Sequence, residues 1–131
     1  MKTLQEIFDI VSTHLLRQGV QARDDLSCRY RMQVNDVTTK CAVGCLIPDS
    51  AYNTDMEGNS IVYVRSNMDE EGPGLVVEAL ALNGVDCRDY ETMDLLEKLQ
   101  TVHDTEEPHN WPAALEDAAI GCRLNNSTLQ L

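Results

Sequence analysis

Thr3-Leu4-Gln5-Glu6-Ile7-Phe8-Asp9-Ile10-Val11-Ser12-Thr13-His14-Leu15-Leu16-Arg17-Gln18-Gly19 decides the class of fold. Leu4, Ile7, Phe8, Val11 and Leu15 recur at three- and four-residue spacing, which lays one apolar stripe along a helix. Thr3 and Glu6 form a capping-box pattern, in which hydroxyl and carboxylate satisfy each other's orphan amides. Gly19 stands where the chain would leave the helix through a left-handed residue. The pattern predicts an amphipathic helix over 3–18, and the rest of the fold must supply what covers its stripe.

Three later segments carry the same signature. Pro73 to Asn83 holds Leu75, Val76, Ala79, Leu80 and Leu82, with Pro near its start and Gly84 past its end. Residues 91–103 place Met93, Leu95, Leu96, Leu99 and Val102 on one side, with Asp89, Glu91 and Asp94 near the positive end of the helix dipole. Pro112 to Cys122 holds Leu115, Ala118, Ala119 and Cys122, with Asn110 as its expected cap. Residues 28–40 read differently. Tyr30, Met32 and Val34 alternate with Arg29, Arg31 and Gln33, Asn35-Asp36 is a turn pair, and Val37-Thr38-Thr39 is β-branched, so a short hairpin is expected.

The run Cys41-Ala42-Val43-Gly44-Cys45-Leu46-Ile47-Pro48 reads as a buried two-turn helix ended by proline. Gly44 costs about 1 kcal/mol relative to Ala inside a helix, which implies that another backbone lies close against it. Ile61-Val62-Tyr63-Val64 reads as either a short strand or one helical turn after Ser60, and Asp69-Glu70-Glu71-Gly72-Pro73-Gly74 as a solvated loop. The expected fold is mainly α, a compact single domain of about four to five helices over 1–124 with one short β-hairpin, followed by a tail over 125–131.

The chain has 131 residues, 43% hydrophobic and 24% charged, enough for one modest core. There is no run of about 18 apolar residues for a membrane span, and Met1-Lys2-Thr3-Leu4-Gln5-Glu6 lacks the apolar block of a signal peptide. A cytoplasmic location is the resulting expectation. The net charge of −12 argues against direct binding to nucleic acid, which calls for a basic footprint. Charge is uneven: residues 1–48 hold five acids and six bases, whereas 49–117 hold 17 acids and three bases. That acidity reads either as a solubilising surface or as a docking surface for a basic partner.

Cys28, Cys41, Cys45, Cys87 and Cys122 are odd in number, so reduced thiols are expected. Cys28, Cys41 and Cys45 with His103 or His109 have the residue types of a zinc site, although a fourth ligand must come from far along the chain. The baseline is that no metal or cofactor is bound and the thiols pack in the core. His103-Asp104 has the look of a phosphohydrolase dipeptide, but only His14 and His109 remain to complete such a site, and a helix-end role fits it better. Cys41, beside Lys40, is the best-placed nucleophile should His103 or His14 assist it. No oxyanion signature, phosphate-binding loop or dinucleotide fingerprint accompanies it. Trp111, in Pro108-His109-Asn110-Trp111-Pro112, reads either as a staple to the core or as an interface anchor.

Lys40-Cys41-Ala42-Val43-Gly44-Cys45-Leu46-Ile47-Pro48-Asp49, preceded by Cys28-Arg29-Tyr30, resembles a block found in a group of short accessory proteins of tailed phages and prophages. Gln5-Glu6-Ile7-Phe8, Glu57-Gly58, His103-Asp104 and Trp111-Pro112 extend the resemblance over most of residues 3–120. The chain departs from the group after Tyr30, where Met32-Gln33-Val34-Asn35-Asp36 replaces a Gly-Pro-Asp-Gly turn. The resemblance implies a protein made inside an infected bacterium that binds host or antiviral-defence machinery. The leading expectation is thus a non-enzymatic binder that blocks or redirects a protein with a basic surface through Asp69, Glu70, Glu71, Asp89, Glu91, Asp94 and Trp111. The alternatives are capture of a signalling nucleotide, which needs Arg29, Arg31, Lys40 or Arg65 gathered together, and a small structural-zinc protein.

Overall fold

A computed structural model describes residues 1–127. Residues 128–131 of the expected tail lie outside that range. The fold is mainly α with one two-stranded hairpin, and no helix among the described residues is long and apolar enough to cross a membrane.

The first helix, α1, spans Leu4–Gln18 and is fixed at both ends as its sequence dictates. Thr3 Oγ1 accepts the Glu6 amide at 3.1 Å while Glu6 Oε1 accepts the Thr3 amide at 2.9 Å. Gly19 closes the helix at φ +69°, in the left-handed region. Ile7, Phe8, Val11 and Leu15 are fully buried. Burying a side chain of this size contributes roughly 1.5–3 kcal/mol.

The hairpin follows, β1 over Arg31–Val34 and β2 over Val37–Lys40, in antiparallel register with Val34 opposite Val37. Asn35 and Asp36 both have positive φ, +49° and +66°. That is the two-residue turn whose twist matches the strands, and it suits an Asn-Asp pair. The side-chain amide of Gln18 then acts as a short piece of third strand. Its Oε1 accepts the Lys40 amide at 2.8 Å and its Nε2 donates to the Lys40 carbonyl at 2.9 Å.

The run 41–48 departs from the expected two-turn helix. Only Gly44–Leu46 is helical, as a single 3₁₀ turn, followed by further 3₁₀ turns at Asp49–Ala51 and Thr54–Met56. The cause lies at Gly44, where the turn lies against the Tyr30 backbone, and at Pro48, which allows no continuation. The closely packed backbone expected at Gly44 is therefore present.

Helix α2 spans Ile61–Ser66, which decides the strand-or-helix ambiguity for helix; Ser60 Oγ accepts the Tyr63 amide. Helix α3 spans Glu71–Leu82 and starts inside the stretch expected to be a loop. The Glu70 carbonyl accepts the Gly74 amide at 2.8 Å, and Pro73 falls in the first turn, where its missing N–H costs nothing. Helix α4, Tyr90–Thr105, is capped by Asp89, whose Oδ2 accepts the Thr92 amide and hydroxyl. Helix α5 spans Trp111–Gly121. Asn110 makes no cap bond there, because its helical dihedrals (φ −93°, ψ −6°) carry a 3₁₀ turn at Pro108–Asn110 straight into α5.

Helix α4 packs against α1, α2 and α5, and its inner side chains Met93, Leu95, Leu96 and Leu99 are buried at the centre of the core.

Candidate functional site

Two regions of this fold collect chemistry-bearing side chains, and α4 contributes to both. Its C-terminal turn carries His103 and Asp104. Gln21 Nε2 donates to the His103 carbonyl and the Ala22 amide donates to His103 Nε2 at 2.9 Å, which ties loop 20–28 to that turn, while the Arg29 amide donating to the Ala22 carbonyl closes the loop on itself. Asp24 shapes the loop by accepting the Leu26 and Ser27 amides on one carboxylate oxygen. The result delivers Cys28 to Asp104. The Cys28 sulfur, one His103 ring nitrogen and one Asp104 oxygen lie within 4.8 Å of one another.

Of the sequence-predicted zinc set, Cys28 and His103 thus converge. Cys41 lines the same cleft but its sulfur accepts the Gly44 amide at 3.2 Å. Cys45 donates to the Ala42 carbonyl and His109 sits on the exposed turn before α5. Hydrogen-bond bookkeeping determines what His103 does. A backbone amide is an obligate donor, so Nε2 is the bare nitrogen and Nδ1 carries the proton, which it donates to Asp104 Oδ1 at 2.7 Å. Both ring nitrogens are occupied, and neither presents a lone pair to a cation. The ring is wholly buried and stacks on Trp111 with centroids 5.7 Å apart. Asp104 also accepts Gln100 Nε2 at 2.8 Å, and Gln100 Oε1 accepts the Val43 amide. The donor set is a satisfied network that joins α4, loop 20–28 and the 41–46 turn.

The thiols are likewise not poised for attack. Burial, with the Asp104 carboxylate adding to it, pushes the Cys28 thiol up to about 11. Burial lifts Cys45 to about 12 and Cys41 higher still. Cys41, the best-placed nucleophile by sequence, is buried among protein atoms, and Lys40 turns away to Asp49 at 3.1 Å.

A cleft of about 250 Å³ opens beside the network between residues 27–30, 57–62 and 97–104. Glu57 organises its wall by accepting the Tyr30 and Arg31 amides and the Tyr52 hydroxyl. The cations named for nucleotide capture, Arg29, Arg31, Lys40 and Arg65, are each engaged by carboxylates. Arg31 and Lys40 share Asp49, Arg29 lies against Asp24 and Glu57, and Arg65 is held on α4 by Asp94 and Glu97.

The second region is the acid-rich end where α2, α3 and α4 meet. Asp69, Glu70, Glu71, Asp89 and Glu91 are exposed and Asp94 half-buried. Arg88, beside Asp89, approaches Asp69, and side chains of α2 reach each acidic run separately. The Arg88 guanidinium lies 3.9 Å from Asp69. Tyr63 Oη donates to Glu70 at 2.6 Å. Arg65 reaches Asp94 and Glu97 at 2.8 and 2.9 Å and lies over the Tyr90 ring at 4.6 Å. Trp111 takes no part: it is fully buried, its Nε1 donates to the Glu106 carbonyl at 3.1 Å, and it staples α5 to the core. The reading of Trp111 as an interface anchor is thereby corrected. Tyr90, 73% exposed, and Tyr63, 44% exposed, stand among the acids instead. Tyr90 was legible as a residue off the apolar stripe of its helix, although nothing in the sequence placed it next to Arg65.

Neither a protein-family model, nor a curated protein, nor a solved structure matches this chain.

Proposed function

We propose that the chain is a binding protein whose acid-rich end occupies a basic surface on a bacterial host or defence protein and so blocks or redirects it. The observation that carries the reading is that two acidic runs reach the same helix, α2, each beside an exposed tyrosine: Tyr63 bonds Glu70, and Arg65 bonds Asp94 while lying over Tyr90. Like charges on one patch speed association with a basic partner and fix its register. Tyrosine supplies the buried contact that charge alone does not, because aromatic residues dominate interface energetics. The bacterial partner rests on the phage-type resemblance of residues 28–49. The satisfied state of the Cys28–His103–Asp104 network supports a scaffold role for the interior rather than a reaction centre.

The test is capture from bacterial lysate with the wild type, the Glu70→Lys/Glu91→Lys pair and Tyr90→Ala in parallel. A partner taken up by the wild type is expected to be lost on charge reversal, to bind about 5- to 30-fold more weakly to Tyr90→Ala, and to weaken between about 50 and 500 mM salt. Capture indifferent to both the reversal and the salt would overturn the reading.

A further inference from the structure

The outer face of α1 offers a second surface that uses none of the residues of the acid-rich end. A groove of about 830 Å³ runs between α1 and β2. Ile10, Val20 and Val37 line it and are 37%, 51% and 61% exposed. Its charged residues are one acid, Asp9, and one base, Arg17, and among the described residues neither takes part in an ion pair. His14 between them is held toward its neutral form by burial and donates Nε2–H to the Lys40 carbonyl. The face is therefore uncharged overall on a molecule of net charge −12.

Asp9, Thr13 and Arg17 follow one another at four-residue intervals, so they form one line along the helix. Asp9 and Arg17 are roughly 12 Å apart along the axis, with Thr13 midway. A two-fold axis through Thr13 would set two such helices antiparallel and bring each Asp9 against Arg17 of the second copy. Closed dimers require this kind of self-complementarity, in which one patch serves both sides. Long-range repulsion between two acidic molecules is also least at a face where acid and base balance.

We propose that this face is a self-association surface, on which two copies pack α1 against α1 with reciprocal Asp9–Arg17 pairs flanked by Ile10, Val20 and Val37. The experiment is sedimentation velocity from about 5 to about 200 µM, where a mass-action dimer declares itself. The wild type is expected to dimerise in that range. Arg17→Asp should raise the dissociation constant at least about tenfold, roughly 1.4 kcal/mol, and Asp9→Arg/Arg17→Asp should restore it. Val37→Lys, on the exposed strand, should weaken the dimer without touching α1, and unchanged far-ultraviolet dichroism would verify the fold of each variant. A wild type that stays monomeric, a dimer indifferent to Arg17→Asp, or a double reversal that fails to restore association would each overturn the proposal; an extended segment of another protein would then be the better occupant.

Discussion

A Cβ placed on Gly44 would lie 2.0 Å from the Tyr30 carbonyl oxygen and 2.9 Å from its carbonyl carbon, both rigid backbone atoms. Gly44→Ala must therefore push the 41–46 turn off the strand entry, and we expect a loss of about 3 kcal/mol or more in urea unfolding. Gly74→Ala is the control. Its Cβ would meet only the Met68 carbonyl at 3.4 Å, and the exchange of Gly for Ala in a helix gains up to about 1 kcal/mol. Equal losses at the two sites would refute the close-approach account. His14 gives the residue-scale pH effect. Desolvation lowers its pKa below the ordinary 6.5, outweighing the bond to Lys40. Between the lowered folded value and about 6.5 the unfolded chain binds more protons, so stability rises with pH across that window and falls as acid is added. His14→Gln should flatten the difference in unfolding free energy between about pH 7 and about pH 5.5; an unchanged difference would assign it to other groups. The glycine inside an apolar run was legible in sequence as a sign of close backbone. Trp111 was not, because a lone indole between prolines reads the same whether its N–H meets a carbonyl of its own chain or a partner.

At the scale of elements, patterns confined to one segment were readable and those set by a neighbour were not. The capping box, stripe and terminal glycine of α1 are all local, and the helix follows them residue for residue. The hairpin's turn pair was also local, and it yields a prediction. Asp36 sits at φ +66°, which an L side chain adopts at a cost that glycine does not bear. Asp36→Gly should raise the midpoint of thermal unfolding, by up to about 1 kcal/mol of stability; a lower midpoint would mean that the Asp36 side chain makes a contact worth more than the strain. The 41–48 segment escaped local reading because its conformation is imposed by the Tyr30 backbone. The start of α3 escaped it because Glu70 and Pro73 fit a helix entry and a loop equally well. Asn110 shows the converse: a good capping residue loses that role when a preceding turn already supplies helical dihedrals.

At the scale of the molecule, the excess of acids within residues 49–117 was visible in composition, but their arrangement was not. Asp69 and Asp94 are distant in sequence, and each is met by an arginine, Arg88 and Arg65, that composition does not pair with it. The same holds for Cys28, His103 and Asp104, whose convergence depends on loop 20–28 being tied to α4 and in which one backbone proton at Ala22 sets the role of each His103 nitrogen. Long-range stitches also close the molecule upon itself. The Asn125 amide donates to Gln5 Oε1 and Gln5 Nε2 donates back to the Asn125 carbonyl, across 120 positions of chain. The Lys2 amide donates to the Gly84 carbonyl. Asn125 is thus a neighbour in space of the first turn of α1. A gene rearranged so that a short peptide runs from Asn125 to Thr3, with fresh termini cut between Asn35 and Asp36, would leave every helix in one piece and encode the same architecture in a different order.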